Sequence, residues 1–268
     1  RRIAEALYGR DYSEMLALLG FQDLSHTLTD LPAEDTRLKL DLEGRSPDDG
    51  MSDIAYEKGY FMLRMIEENV GRTKFDSFLK TYFEYFKFKN LTTEQFLSYI
   101  QEELPATQNI NLKEWIYKPG LPDNCPVIVS DKFSKVDEVR ETQKYAQAPS
   151  VTKDWTTHEW LHFIRGIDTS WKMEDYTKAD EQFDFTNSTN SEIAAAWFEK
   201  SIRANYQPAY EALEAFLTKV GRRKFLTPLY RAMIETDKET MAKNIYRKAR
   251  PNYHFVSTNT MDALLGMK

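Results

Sequence analysis

The chain has 268 residues, 41% hydrophobic and 13% aromatic, which is enough for packed cores and excludes a disordered, solvating chain. Thirty-six Lys and Arg against 42 Asp and Glu leave a formal charge of −6, so there is no polybasic footprint for nucleic acid; the basic runs "GRRKF" (221–225) and "YRKARP" (246–251) are local and each suit one anionic group. No stretch approaches the apolar length of a membrane span, no signal peptide is visible, and the single Cys125 rules out an internal disulfide without fixing the compartment; the cytoplasm is favoured, with the periplasm as the alternative.

The opening "RRIAEALYGRDYSEML" reads as mid-helix and begins with Arg1 rather than Met, so the chain is expected to be a piece of a longer polypeptide. Tyr12, Met15, Leu16 and Leu19 then fall on one face of an amphipathic helix. A polar, irregular stretch is expected over roughly 24–52, within which Leu38, Leu40 and Leu42 alternate with charged residues as in a short extended segment. Helix resumes in "SDIAYEKGYFMLRMIEENVG", with Tyr56, Tyr60, Leu63 and Val70 aligned and Gly71 as the stop. A second aromatic helix turns Phe75, Phe78, Tyr82 and Phe86 inward, and "LTTEQF" offers Thr92 and Gln95 as a capping box. Pro119, Gly120 and Pro122 end a short helix and mark the domain boundary, giving units 1–122 and 123–268. Beyond it, helices are expected at about 131–146, 156–165, 171–182, 189–203, 207–219, 222–236 and 238–248, joined by short connectors as in a layered or solenoid array.

Residues 158–162, "HEWLH", match the HExxH pattern in which two histidines grip zinc and the glutamate activates a water; Glu181 sits where a third ligand often falls. A structural account competes. Thr156 and Glu159 have the spacing of a capping box, which turns the carboxylate back onto the first helical turn. Trp160, Phe163, Ile164 and Ile167 then form the buried stripe and leave His158 and His162 towards the polar side. The expectation is that His158, Glu159 and His162 bind no metal.

"PDDGMSDIAYEKGYFML", then "WIYKPGLP", "NSEIAAAWFEKSI" and "GRRKFLTPLY", in that order, resemble the M1 family of zinc aminopeptidases, and within it the leukotriene A4 hydrolase branch with its bacterial relatives. The resemblance runs along nearly the whole chain. It implies a mainly α chain: the distal part of a thermolysin-like catalytic domain, followed by an all-helical, armadillo/HEAT-like C-terminal domain. It also implies that the zinc ligands lie upstream, so that zinc belongs to the parent enzyme and none is expected here. By order, HEWLH falls in the C-terminal helical domain, where the family carries no zinc.

The same resemblance assigns roles. Tyr56, of the YEKG-like motif, corresponds to the tyrosine that donates a hydrogen bond to the oxyanion of the tetrahedral intermediate. Asp48 corresponds to a substrate-side carboxylate; from its residues alone "SPDDG" is a turn. Arg222 and Lys224 correspond to cations that hold the substrate's carboxylate, Arg through a planar fork and Lys as a mobile point charge; Arg223 is expected exposed and Gly221 as a helix C-cap. Where the branch usually has a second tyrosine, five residues before the first, this chain has Met51, which argues against leukotriene-type epoxide hydrolysis. The expected partners are a peptide substrate and the missing N-terminal part of the polypeptide, with neither nucleic acid nor membrane. A different class stays open beside it: a non-catalytic helical-repeat scaffold, discriminated by whether an upstream HExxH exists in the parent gene.

Overall fold

Gly9, at φ +86°, divides the opening segment into α1 (Arg2–Tyr8) and α2 (Arg10–Asp30), where the sequence reads as one continuing helix. A left-handed or otherwise positive φ is adopted at little cost only by glycine. α2 also runs past residue 24, into the stretch expected to be irregular. "SHTLTD" has no apolar periodicity but no breaker either. The stop comes from Pro32, which drives Leu31 into extended backbone (φ −90°, ψ 151°).

The structure, a computed structural model, describes residues 1–45, 50–143 and 149–267, and divides into two units, Arg1–Ser130 and Asp131–Lys268. Every helix or strand assignment among the described residues is helical.

In the first unit a five-residue π-turn, Ile54–Lys58, leads directly into α3 (Gly59–Val70). The Gly59 N–H reaches back to the Ile54 carbonyl, one residue further than in an α-helix. Two further long helices, α4 (Arg72–Phe86) and α5 (Thr93–Glu103), and the short α6 (Leu112–Tyr117) complete the unit. The capping box of α5 is present: Thr92 N–H donates to Gln95 Oε1 (2.9 Å) and Gln95 N–H to Thr92 Oγ1 (3.2 Å). α6 stops where Lys118 turns extended ahead of Pro119 and Gly120 takes φ +71°. The Leu38–Leu42 segment alternates half-buried leucines with exposed Lys39 and Asp41 as expected; it forms no strand, and Lys39 N–H bonds the Ile116 carbonyl instead (3.0 Å).

The core of this unit gathers Leu24, Ile54, Phe61, Ile66, Phe75, Phe78, Leu97, Ile100 and Trp115. Trp115 is wholly buried, and its indole N–H donates to Asn124 Oδ1 (2.9 Å). Of the expected stripe, Val70 is buried and Tyr60 and Leu63 are partly buried against the core, but Tyr56 is not. Ile54, Phe61, Met62, Met65, Ile66 and Val70 face inward, while Tyr56 stands 64% exposed. The buried face runs through Ile54, Lys58, Phe61 and Met65, spaced four, three and four residues apart, and Tyr56 lies two residues off it.

The second unit comprises α7 (Asp131–Thr142), α8 (Thr157–Arg165), α9 (Met173–Phe183), α10 (Ser191–Ala204), α11 (Tyr210–Lys219), α12 (Arg223–Glu235), α13 (Glu239–Ala249) and α14 (Phe255–Leu265). The expected end of α7, residues 144–146, lies outside the described residues. α14 is not anticipated by the sequence reading; His254 caps it by accepting the Val256 N–H, and Gly266 closes it at φ +60°. Its core is aromatic: Trp155, Trp160, Trp171, Phe183 and Phe185 surround Phe163, with Trp197 and Tyr206 beyond. Edge-to-face pairs dominate this cluster, the geometry ring quadrupoles favour. Trp197 is fully buried and donates its indole N–H to Thr186 Oγ1 (3.0 Å).

Candidate functional site

Tyr56 lies in the middle of the π-turn, and its neighbours are held while its own ring is not. Before it, Asp53 Oδ2 accepts from Thr27 Oγ1 (3.1 Å) and Ile54 is buried. Directly after it, Glu57 is bridged by Arg1 (2.6 Å); burial pushes its carboxyl up and Arg1 partly opposes this. Gly20 on α2 makes room for that carboxylate, since a β-carbon there would collide with it. Lys58 is entirely buried, with Nζ donating to the Thr36 and Lys118 carbonyls at 2.9 Å each. Desolvation pulls its ammonium down to about 8. Met51 is 62% exposed. Asp48 lies outside the described residues.

In the second unit, Arg222 is the N-cap of α12 and Lys224 sits in its first turn. Both cations flank the Phe225 ring, with Arg222 Cζ at 5.8 Å and Lys224 Nζ at 5.5 Å from its centroid. Phe225 is buried, so the ring is a fixed platform. Arg222, Arg223 and Lys224 are all exposed. Lys224 Nζ is 2.7 Å from both oxygens of Glu192 in the first turn of α10, a partner the sequence reading did not name. A cavity of about 110 Å³ beside this pair carries Arg165, Lys200 and Lys224 against Glu192 and Glu199, a positive excess of one. Gly221 is not the C-cap expected: α11 ends at Lys219 with Val220 as its cap, and Gly221 packs against Tyr253, while its carbonyl accepts from Ser257 Oγ (2.9 Å).

Glu159 and His162 of HEWLH are each engaged by neighbouring groups. Glu159 is 5% exposed, and its Oε2 accepts from both the Thr156 N–H (2.7 Å) and the Thr156 hydroxyl (2.9 Å), the capping arrangement read from the sequence. His162, expected towards the polar side of the helix, is half-buried. Its ring stacks on Phe133 at 4.0 Å, and Nε2 lies 2.9 Å from Asp137 Oδ1. Burial, partly countered by Asp137, holds this imidazole below its usual range. Leu161 joins Phe163 and Ile164 in the buried stripe. Glu181 is exposed on α9, and among the described residues no group of three His, Cys, Asp or Glu is placed to hold a metal. Nor, among them, is any helix long and apolar enough to cross a membrane.

Two family models match in succession: the Peptidase family M1 domain over residues 3–116, and leukotriene A4 hydrolase, C-terminal, over 155–265. A leukotriene A-4 hydrolase homolog of Botryotinia fuckeliana is 28% identical over 269 residues, covering 95% of this chain and 41% of its own length. Leucine aminopeptidase 2 of Aspergillus terreus is 31% identical over 272 residues, covering 95% and 44%. The structure of yeast LTA4 hydrolase in complex with bestatin superposes with a TM-score of 0.82 at 26% identity, over 96% of this chain and 47% of that one. The chain thus spans under half the length of these relatives. The two helical units are a distal piece of the M1 catalytic domain and the helical C-terminal domain of that branch. The chain belongs to the M1 peptidase family, in the branch that carries the leukotriene A4 hydrolase C-terminal domain.

Proposed function

We propose that this chain is the C-terminal part of a zinc-dependent aminopeptidase that removes N-terminal residues from peptides, with residues 1–122 completing the catalytic domain and 123–268 forming the helical C-terminal domain. The observation that carries the reading is Tyr56: in the M1 segment, an exposed tyrosine is presented on a π-turn whose Ile54 and Lys58 are buried on either side of it. A phenol so placed donates a hydrogen bond to the oxygen on which charge develops when a peptide carbonyl is attacked. Arg222 and Lys224 pair with the substrate's carboxylate, the fork of the one and the point charge of the other supported by Phe225. Asp48 is assigned to positioning the peptide, and Met51 in place of a tyrosine argues against leukotriene-type epoxide hydrolysis.

Zinc is assigned to ligands outside this chain, and HEWLH to a capped structural helix. The name of the A. terreus relative makes an N-terminal leucine the first substrate to try. The relatives named above are fungal; the bacterial affiliation and cytoplasmic location expected from the sequence are parts of this proposal.

The test uses leucine p-nitroanilide. The purified chain is expected to show no chelator-sensitive turnover and no stoichiometric zinc, and the version extended upstream to show both. Robust turnover by the chain alone, abolished by chelator and by His158→Ala, overturns the reading.

A further inference from the structure

We propose that Lys58 is a positioning residue for Tyr56: its buried ammonium ties the π-turn to the Thr36 and Lys118 carbonyls and thereby fixes where the Tyr56 hydroxyl stands. The inference rests on the role of Tyr56 proposed above.

Lys58 falls on the apolar stripe Ile54, Lys58, Phe61, Met65, the spacing of one helical face, and it is as buried as its neighbours. Among the described residues no carboxylate pairs with it; its two partners are backbone carbonyls, and desolvation alone displaces its titration. A methionine would fill the same space without burying a charge. A methionine would, however, leave the Thr36 and Lys118 carbonyls without this donor, so the lysine is explained by the two bonds it makes and not by the space it fills.

What the ammonium does is geometric. It joins three segments that share no regular secondary structure: the turn ending at Thr36, the π-turn, and the Lys118–Gly120 loop. The joint is closed a second time by Thr36, whose Oγ1 accepts from the Gly120 N–H (2.9 Å) and donates to the Ala33 carbonyl (2.6 Å). Tyr56 has little packing of its own to hold it, being 64% exposed, so its location follows from the backbone that Lys58 anchors two residues on. The π-turn is a single wide turn ahead of α3, and the ammonium ties it to two segments outside the helix.

The experiment measures kcat and KM of the zinc-loaded, upstream-extended enzyme on leucine p-nitroanilide, with Tyr56→Phe as the control. It adds amide exchange at residues 54–58 and the thermal midpoint. For Lys58→Met we expect kcat to fall about 10–100-fold with KM within about twofold, as for a misplaced catalytic group. Exchange across the π-turn should quicken, and kcat is read on the folded enzyme well below its own thermal midpoint, so that any loss of stability is scored separately from the loss of rate. A merely structural lysine would lower the midpoint and leave kcat of the folded fraction alone. Unchanged kcat and exchange in Lys58→Met, with Tyr56→Phe impaired, overturns this inference and leaves the role of Tyr56 standing. Unchanged kcat in Tyr56→Phe overturns that role and the inference with it. If Lys58→Met fails to fold, Thr36→Val, which releases Gly120 from the same joint, is read by the same assays: a fall in kcat supports the proposal, and no change overturns it.

Discussion

The two units hold their candidate residues by opposite means. In the first, an exposed tyrosine is carried on backbone pinned from beneath by a fully buried ammonium bonded to two carbonyls. In the second, exposed cations stand at the start of α12, where the helix dipole disfavours positive charge, and a surface carboxylate, Glu192, offsets part of that cost. A buried polar tie is stiff, because breaking it strands desolvated groups. A half-exposed ion pair is adjustable, because water and salt compete for both partners. A hydroxyl that must meet one transient oxygen benefits from the first arrangement. Cations that must accept carboxylates of varied reach benefit from the second.

The largest effect expected from breaking this contrast is catalytic. Tyr56→Phe should lower kcat of the upstream-extended enzyme about 10²–10³-fold, the loss of one oxyanion donor, without moving its thermal midpoint. Steady-state kinetics beside a circular dichroism melt checks both halves, and a parallel loss of stability would recast Tyr56 as structural. Next, Lys224→Met should raise KM for free-acid tripeptides by about 1.5–3 kcal/mol of lost charged hydrogen bonding, while the amidated peptides barely respond. Glu192→Gln should act the other way, freeing Lys224 and tightening the free acids; equal responses of acids and amides would remove Lys224 from carboxylate binding.

A smaller effect concerns the cap of α8. Thr156→Ala should cost about 1 kcal/mol in denaturant unfolding of the chain, and zinc uptake should stay absent with or without it. The subtlest is a pH slope. The folded Lys58 titrates near 8, below its usual 10.5, so the unfolded chain binds more protons between those values. Stability should therefore rise with pH across that window, the penalty being fully present below about 8 and gone above about 10.5. Denaturant midpoints of the wild type against Lys58→Met, compared from pH 7.5 to about 9.5, read the difference before tyrosines titrate. Parallel curves would mean that Lys58 is not desolvated.

Local signals that are chemically obligatory were readable from the chain. The Thr92–Gln95 and Thr156–Glu159 boxes are formed, and Pro119 with Gly120 ends α6, because each uses a neighbour three residues away or a fixed dihedral. The π-turn was not readable, since its i to i+5 bond requires no particular residue in "DIAYEK". α14 was missed because "HFVSTNTMDALLG" begins with β-branched and polar residues that argue weakly for helix, although Gly266 was a usable stop signal. Of the candidate site, Arg222 and Lys224 were singled out by the family resemblance of "GRRKF", while their placement about the Phe225 ring was not read from the sequence. Glu192 was not legible, because it approaches from 32 residues away. Lys58 could have been found. It occupies an apolar position on a helical stripe, and a charge there asks what it is bonded to.

The placement of the five tryptophans gives the chain an optical division of labour. Trp115, buried and hydrogen-bonded, is the only indole before residue 130, while Trp155, Trp160, Trp171 and Trp197 all lie in the aromatic core of the second unit. Emission near 340 nm is thus dominated by the second unit, where neighbouring rings exchange excitation energy. Subtracting the spectrum of Trp115→Phe from that of the wild type isolates a single fluorophore for the first. The unfolding of each unit can then be followed separately in one polypeptide, without labels and without cutting it in two.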